Sequence, residues 1–215
     1  MSFRDYHESV WEGVPEGIAP LDANLRGAFL LEQVAEIGAQ LDCPPRVLDV
    51  GCGEGYFAAA LVRAHAEVLA VDVAAEPLRR ALERHPELDV RLVEAEAALP
   101  LDDSSFDVVW AGETIEHVAD TARWLSELRR VLRSGGLLLL STPDHGLLSR
   151  LRLALSAGAF QERFDPRGEH LRFYTRHALA DLLMDFGFEE VTVRGAGGPP
   201  GARRTLLASA RRKRF

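Results

Sequence analysis

The sequence predicts a doubly wound α/β protein, a parallel sheet covered by helices on both faces. Short apolar runs at 46–50, 68–71, 90–93, 107–110 and 137–140 alternate along the chain with segments of helical periodicity. These runs lack polar alternation, as strands buried on both faces do. The first run breaks into Gly51-Cys52-Gly53-Glu54-Gly55 and then into a helix. Glycines at such a turn let backbone approach a ligand closely at a helix N-terminus.

Residues 1–22 are mixed and interrupted by Gly13, Pro15, Gly17 and Pro20, which predicts an extended arm with one helical turn. Its large side chains, Tyr6, His7 and Trp11, either pack on the domain surface or close as a lid over an active site. Residues 21–41 form an amphipathic helix with Leu25, Phe29, Val34, Ile37 and Leu41 inward, and Asp22 can cap it. Pro44-Pro45 ends the connection to the first strand, 46–50.

A helix at 57–64 follows the glycine turn. The second strand, 68–71, runs into Asp72. A helix at 76–84 carries Pro77 in its first turn. Strands at 90–93 and 107–110 come next, then a helix at 121–133 that buries Trp124, Leu125, Leu128, Val131 and Leu132. Gly135-Gly136 is its stop signal, before the wholly apolar strand 137–140. Residues 143–174 break the rhythm, with one or two helices within 147–159, and read as a substrate-facing cap inserted after the fifth strand. Thr175 caps a helix running to Phe186, which Gly187 ends. Strands at 189–194 and 205–210 flank a Gly/Pro-rich loop.

A chain of 215 residues reads as one domain, an N-terminal arm (1–22) followed by the body (23–215). Its net charge of -8 argues against nucleic acid as an obligatory partner. The basic residues Arg211, Arg212, Lys213 and Arg214 read as a solvated tail. Cys43 and Cys52 form no metal-ligand or disulfide pattern, so a reducing compartment is expected. No apolar run reaches the ~20 residues of a membrane span, and the first residues lack a signal-peptide core, so a cytoplasmic monomer or homodimer is expected.

Doubly wound sheets bind ligands at the carboxyl ends of their strands. Asp49, Asp72, Glu94, Glu96, Gly112 and Glu113 all fall there and should share one crevice. The glycine turn departs from the dinucleotide pattern G-x-G-x-x-G, because Tyr56 stands at its third position and the glycine comes one residue early, at Gly55. That departure disfavours a nicotinamide dehydrogenase. Asp72, at the end of the second strand, can accept two ribose hydroxyls.

On these residues the chain resembles the class I S-adenosylmethionine-dependent methyltransferases, over about 45–142. Val47 to Gly55 looks like their first motif and Val71-Asp72 like their second. Glu96 with Leu99-Pro100-Leu101, Ser105-Phe106-Asp107, Glu116-His117-Val118 and Leu132-Arg133-Ser134-Gly135-Gly136 look like the family's later segments, and 187–194 like its sixth strand. The resemblance implies a Rossmann-like seven-stranded sheet with an antiparallel last strand. It implies S-adenosylmethionine as cofactor, with Gly51, Cys52 and Gly53 along its methionine part and Asp49 orienting its amino group. It also places Asp72 on the ribose, Val73 on the adenine, and Ala111-Gly112 along the fourth strand. The family usually has Asp at the adenine amino group; the nearest match here is Glu96, beside Ala97, with Glu94 the other candidate.

Methyl transfer to a hydroxyl needs alignment and removal of a proton. His117 is the candidate base, because imidazole titrates near neutrality. His145, His170, Phe173, Tyr174 and Trp11 are the candidate acceptor contacts, while His65, His85 and His177 read as solvent-facing and Trp110 as core. The expected function is transfer of a methyl group to a small-molecule acceptor, at oxygen and without metal. Glu113, Glu116 and His117 also look like part of the metal site of the 3'-terminal RNA 2'-O-methyltransferases, which needs a further histidine such as His145 or His170. A metal-assisted RNA methyltransferase is therefore one alternative, and a non-catalytic S-adenosylmethionine-binding protein is another.

Overall fold

The computed structural model describes residues 3–95, 97–165, 167–199 and 202–214. Seven strands form one sheet: β1 (Arg46–Val50), β2 (Glu67–Asp72), β3 (Asp89–Leu92), β4 (Phe106–Gly112), β5 (Leu132–Pro143), β6 (Phe188–Ala196) and β7 (Thr205–Arg212). Their spatial order is β3-β2-β1-β4-β5-β7-β6. β7 runs antiparallel to both β5 and β6, and every other pair is parallel. The order reverses between β1 and β4, which opens a crevice at their carboxyl ends.

The helices are α1 (Phe3–Gly13), α2 (Ala23–Gly38), α3 (Tyr56–Arg63), α4 (Ala75–Arg84), α5 (Thr121–Val131), α6 (Leu147–Leu155), α7 (Ala157–Arg163) and α8 (Arg176–Asp185). On one face Leu125, Leu128, Leu179 and Leu183 of α5 and α8 pack on Val109, Leu138 and Leu140. On the other, Phe29, Leu30 and Val34 of α2, with Phe57 and Leu61 of α3, pack on Val47, Val108 and Trp110. Trp110 is fully buried, with Phe57 edge-on at 5.4 Å.

Several expectations need correction. Residues 3–13 are a full helix, not an arm with one turn, because His7, Val10 and Trp11 recur at helical spacing on one face. Asp22 does not cap α2. Its backbone is left-handed (φ 50°), and its carboxylate accepts from Arg204 and from Thr205 at 3.1 Å. Gly135-Gly136 does not separate a helix from a strand but lies within β5. Arg211 and Arg212 belong to β7, and the Arg212 guanidinium donates to the Arg130 carbonyl at 3.1 Å. The Thr175 cap is present: its hydroxyl accepts from the Ala178 amide at 3.3 Å. Asp120, not singled out in the sequence, caps α5 through the Arg123 amide at 3.0 Å.

Candidate active site

A cavity of about 310 Å³ lies over the carboxyl ends of β1, β2 and β4. Its floor is the glycine turn. Gly51 has φ +71°, and a Cβ there would stand 2.6 Å from Thr114 Oγ1. Gly53 has φ +53°, and its Cβ would stand 3.0 Å from the Trp11 ring. Only glycine combines that backbone with that lack of room. Asp72 fastens the turn: one carboxylate oxygen accepts from the Gly53 amide at 2.9 Å, the other from Ala74 at 3.0 Å. Burial raises its pKa, against the pull of those amides.

Asp49 is buried in β1, and its Oδ2 has no hydrogen-bond partner among the described residues. Burial, reinforced by Asp72 and opposed by Arg26, pushes its carboxyl up to about 7. Arg26, from α2, is itself buried, stacks 4.8 Å from the Phe57 ring centre and occupies the room a Cβ on Gly112 would take. Just past β4, Glu113 lines the cavity in a left-handed conformation (φ 57°) that a non-glycine residue adopts at a cost.

His117 ends the short turn Ile115–His117 and faces the cavity. Its Nδ1 lies 3.1 Å from the Glu169 carbonyl. A carbonyl can only accept, so Nδ1 carries the proton and Nε2 keeps a lone pair. Burial lowers its pKa, so the neutral ring predominates at pH 7. His170 stands edge-on to it at 4.8 Å. Glu116, buried behind them, accepts from Thr142 Oγ1 at 3.0 Å through Oε2, while Oε1 has no partner among the described residues. Burial first, then Glu113, pushes the Glu116 carboxyl up to about 8.

The structure gathers Asp72, Val73, Ala97, Gly51, Trp11 and His117 around the cavity. Cys52 is buried, packed with Ala58 and Leu78. Glu96 lies outside the described residues. Tyr174 is a core residue, packed on the sheet face that α5 and α8 cover, with its hydroxyl 3.5 Å from the Ile115 carbonyl. His145 and Phe173 pair at 5.2 Å in a separate aromatic cluster with Phe164. Of the suggested metal ligands, Glu116 and His117 meet His170 rather than His145, with ligand atoms within 4.8 Å of one another, and Glu113 is not in that group.

The sequence offered residues 1–22 as packing or a lid, but not the bonds by which α1 clasps the crevice. Glu8 accepts from the first-turn amides of α4, Ala75 and Glu76. Arg80 donates to the carbonyls of Trp11 (3.0 Å) and Val14 (2.8 Å), Arg4 pairs with Glu94 at 2.8 Å, and the Tyr6 hydroxyl reaches the Arg167 carbonyl at 3.2 Å. The available signal was Glu8 beside His7, one turn before Trp11. Thr114, whose hydroxyl donates to the Val50 carbonyl at 3.0 Å, was also missed.

A family model described as a methyltransferase domain matches residues 22–193. A Mycobacterium tuberculosis protein named "Probable S-adenosylmethionine-dependent methyltransferase" is 38% identical over 150 residues, 69% of this chain and 50% of its own, so the chain spans about half the length of that relative. The malonyl-[acyl-carrier protein] O-methyltransferase of Methylococcus capsulatus is 36% identical over 201 residues, 88% of this chain and 70% of its own. Among solved structures, a SAM-dependent methyltransferase from Methanosarcina mazei shares the fold with a TM-score of 0.64 at 22% identity, over 84% of this chain and 98% of its own. The glycine cradle, the aspartate that fastens it and a match across most of the sequence lead to one assignment: the chain belongs to the class I S-adenosylmethionine-dependent methyltransferases.

Proposed function

We propose that the protein methylates an oxygen of a small-molecule acceptor, with S-adenosylmethionine as donor. The observation that carries the reading is the His117 imidazole, fixed through Nδ1 on the Glu169 carbonyl, with a basic Nε2 at the cavity wall. The chain's residues fit the cofactor: a Cβ would fill the cradle at Gly51 and Gly53, and the buried Asp49 Oδ2 has no partner among the described residues. Asp72 would hold the ribose hydroxyls, Asp49 the amino group, and Val73 and Ala97 the adenine. When bound, the cofactor supplies an electrophilic methyl group on a sulfonium. His117 Nε2 takes the proton of the acceptor hydroxyl as the oxygen attacks, a contribution of roughly 10²–10⁴-fold. Val10 and Trp11 of α1, with Val14 just past its end, exclude water from that wall. The relative that acts at oxygen supports this choice of atom. No described helix is long and apolar enough to cross a membrane.

The deciding comparison is His117→Ala against Asp72→Ala. The first should lower turnover about 10²-fold or more with cofactor affinity retained; the second should lose affinity. Undiminished turnover in His117→Ala would sink the reading. The grouping of Glu116, His117 and His170 favours a second reading, in which a divalent cation held there activates the same hydroxyl, on a small molecule or an RNA ribose. Activity indifferent to chelator and to added Mn²⁺ removes it, and the net charge of -8 disfavours the RNA substrate.

A further inference from the structure

Next to the cofactor cavity lies a second one of about 440 Å³, between α6, α7 and the 168–170 loop. The two are neighbours: Glu169 lines both, and His170, in the wall of the second, stacks at 4.8 Å on His117, in the wall of the first. The His117–His170 pair thus forms the wall at which the two cavities adjoin.

The chamber differs in chemistry from the cofactor cavity, whose wall is mainly apolar. Two facing helices each supply a guanidinium, Arg152 from α6 and Arg163 from α7. Among the described residues neither has an ion-pair or hydrogen-bond partner. This contrasts with the clasp side of the molecule, where Arg79, Arg80 and Arg84 are all met by carboxylates. Arg163 is half-buried, so it has lost hydration without gaining a counter-ion. Arg152 and the acids on the same wall, Glu162 and Glu169, are exposed, so Arg163 is the less hydrated of the charged groups there. The field of Arg163 also reaches His170 and His145 and helps keep both rings neutral.

We propose that this second cavity seats an oxyanion of the methyl acceptor, a carboxylate or a phosphate, with Arg152 and Arg163 receiving it. The forked donors of guanidinium suit either group. The acceptor is then an anionic hydroxyl compound, held by its charged end on α6 and α7 while its hydroxyl lies at His117. This rests on the methyl-transfer reading, which the experiment keeps separate.

The test is isothermal titration of the intact chain in low-chloride buffer, with inorganic phosphate and with benzoate, and with S-adenosylhomocysteine as a probe of the first cavity. One anion per chain should bind, and whichever of the two binds more tightly identifies the acceptor's charged group. Arg152→Gln/Arg163→Gln should weaken that binding about tenfold or more with S-adenosylhomocysteine affinity unchanged, and Arg163→Gln alone should show the same direction if the double variant does not fold. Failure of both anions to bind, or equal binding by the variants, overturns the proposal. If S-adenosylhomocysteine does not bind while the arginine-dependent anion site persists, the methyl-transfer reading falls and the seat stands.

Discussion

The rings of His117 and His170 stand edge to face, 4.8 Å between centres, at the junction of two cavities. The pair unites a residue of the turn after β4 with one from the loop before α8. Neither ring is charged at pH 7, since burial lowers the pKa of His117 and, with His117 beside it, takes His170 down to about 4.

Edge-on packing and the Glu169 carbonyl together fix the His117 ring. His170→Ala should therefore loosen its orientation without removing the proposed base. We expect turnover to fall about tenfold, less than in His117→Ala, with cofactor affinity unchanged. Equal losses in the two variants would instead make His170 a direct partner of the reaction. Steady-state rates with a single acceptor, compared across both variants, decide this.

The helix α1 clasps the crevice through Glu8, whose carboxylate serves as a remote cap for α4. Removing a cap costs about 1 kcal/mol. Glu8→Ala should lower the unfolding free energy by about that amount, expose α1 to trypsin and speed release of S-adenosylhomocysteine. Because Trp11 lies against Gly53, its fluorescence should report the binding. A helix as resistant to trypsin as in the parent protein would show that α1 is fixed packing and not a lid.

The glycine cradle separates two costs. Gly53→Ala places a Cβ 3.0 Å from the Trp11 ring at φ +53°. Gly51→Ala places one 2.6 Å from Thr114 Oγ1, a hydroxyl already committed to the Val50 carbonyl. Both pay roughly 1 kcal/mol for the left-handed backbone, but Trp11 can be trimmed and the Thr114 contact is held. Trp11→Ala should thus rescue part of the stability lost in Gly53→Ala, and should do nothing for Gly51→Ala. Chemical denaturation of the parent, the three single variants and the two double variants reads this directly.

The sheet was legible because its signal is local. Arg46–Val50 matches the expected strand at both ends, since the apolar run is bounded by Pro45 and Gly51. The position of Asp72 was legible as well: it ends β2 and lines the cavity, as the apolar run before it implied. What stayed hidden depends on contacts distant in sequence. Asp22 could cap its own helix, but Arg204 and Thr205 compete for the carboxylate and win, with a part-buried bond from Thr205 across 183 positions. The metal-like grouping needed His170, and nothing in the spacing favoured it over His145. Tyr174 beside Phe173 looked like a pair of contacts. They point apart, one into the core and one toward Phe164. The helical spacing of His7, Val10 and Trp11 was overshadowed by the Gly and Pro residues that follow, and the bonds of α1 to Arg80 and the α4 amides come from positions distant in sequence.

Asp49 gives the fold a pH dependence of known sign. Its folded pKa of about 7 lies above its ordinary value of 3.8, so between these values the folded state binds a proton that the unfolded state has lost. Stability must therefore be highest near pH 4 on this account, fall as the pH rises toward 7, and level off above it. The full effect is at most about 4 kcal/mol, before relaxation of Arg26 and Asp72 reduces it. Glu116, raised to about 8, acts in the same direction over a range that extends higher. Asp49→Asn removes the first contribution only. In the cofactor-free protein the variant should lose less stability than the parent between pH 5 and 7, and the two should run parallel above pH 8. Urea titrations at half-unit pH steps measure the difference; a parent protein whose stability rises across that interval, with the variant following it, would show that Asp49 is already ionised in the fold and paired with Arg26.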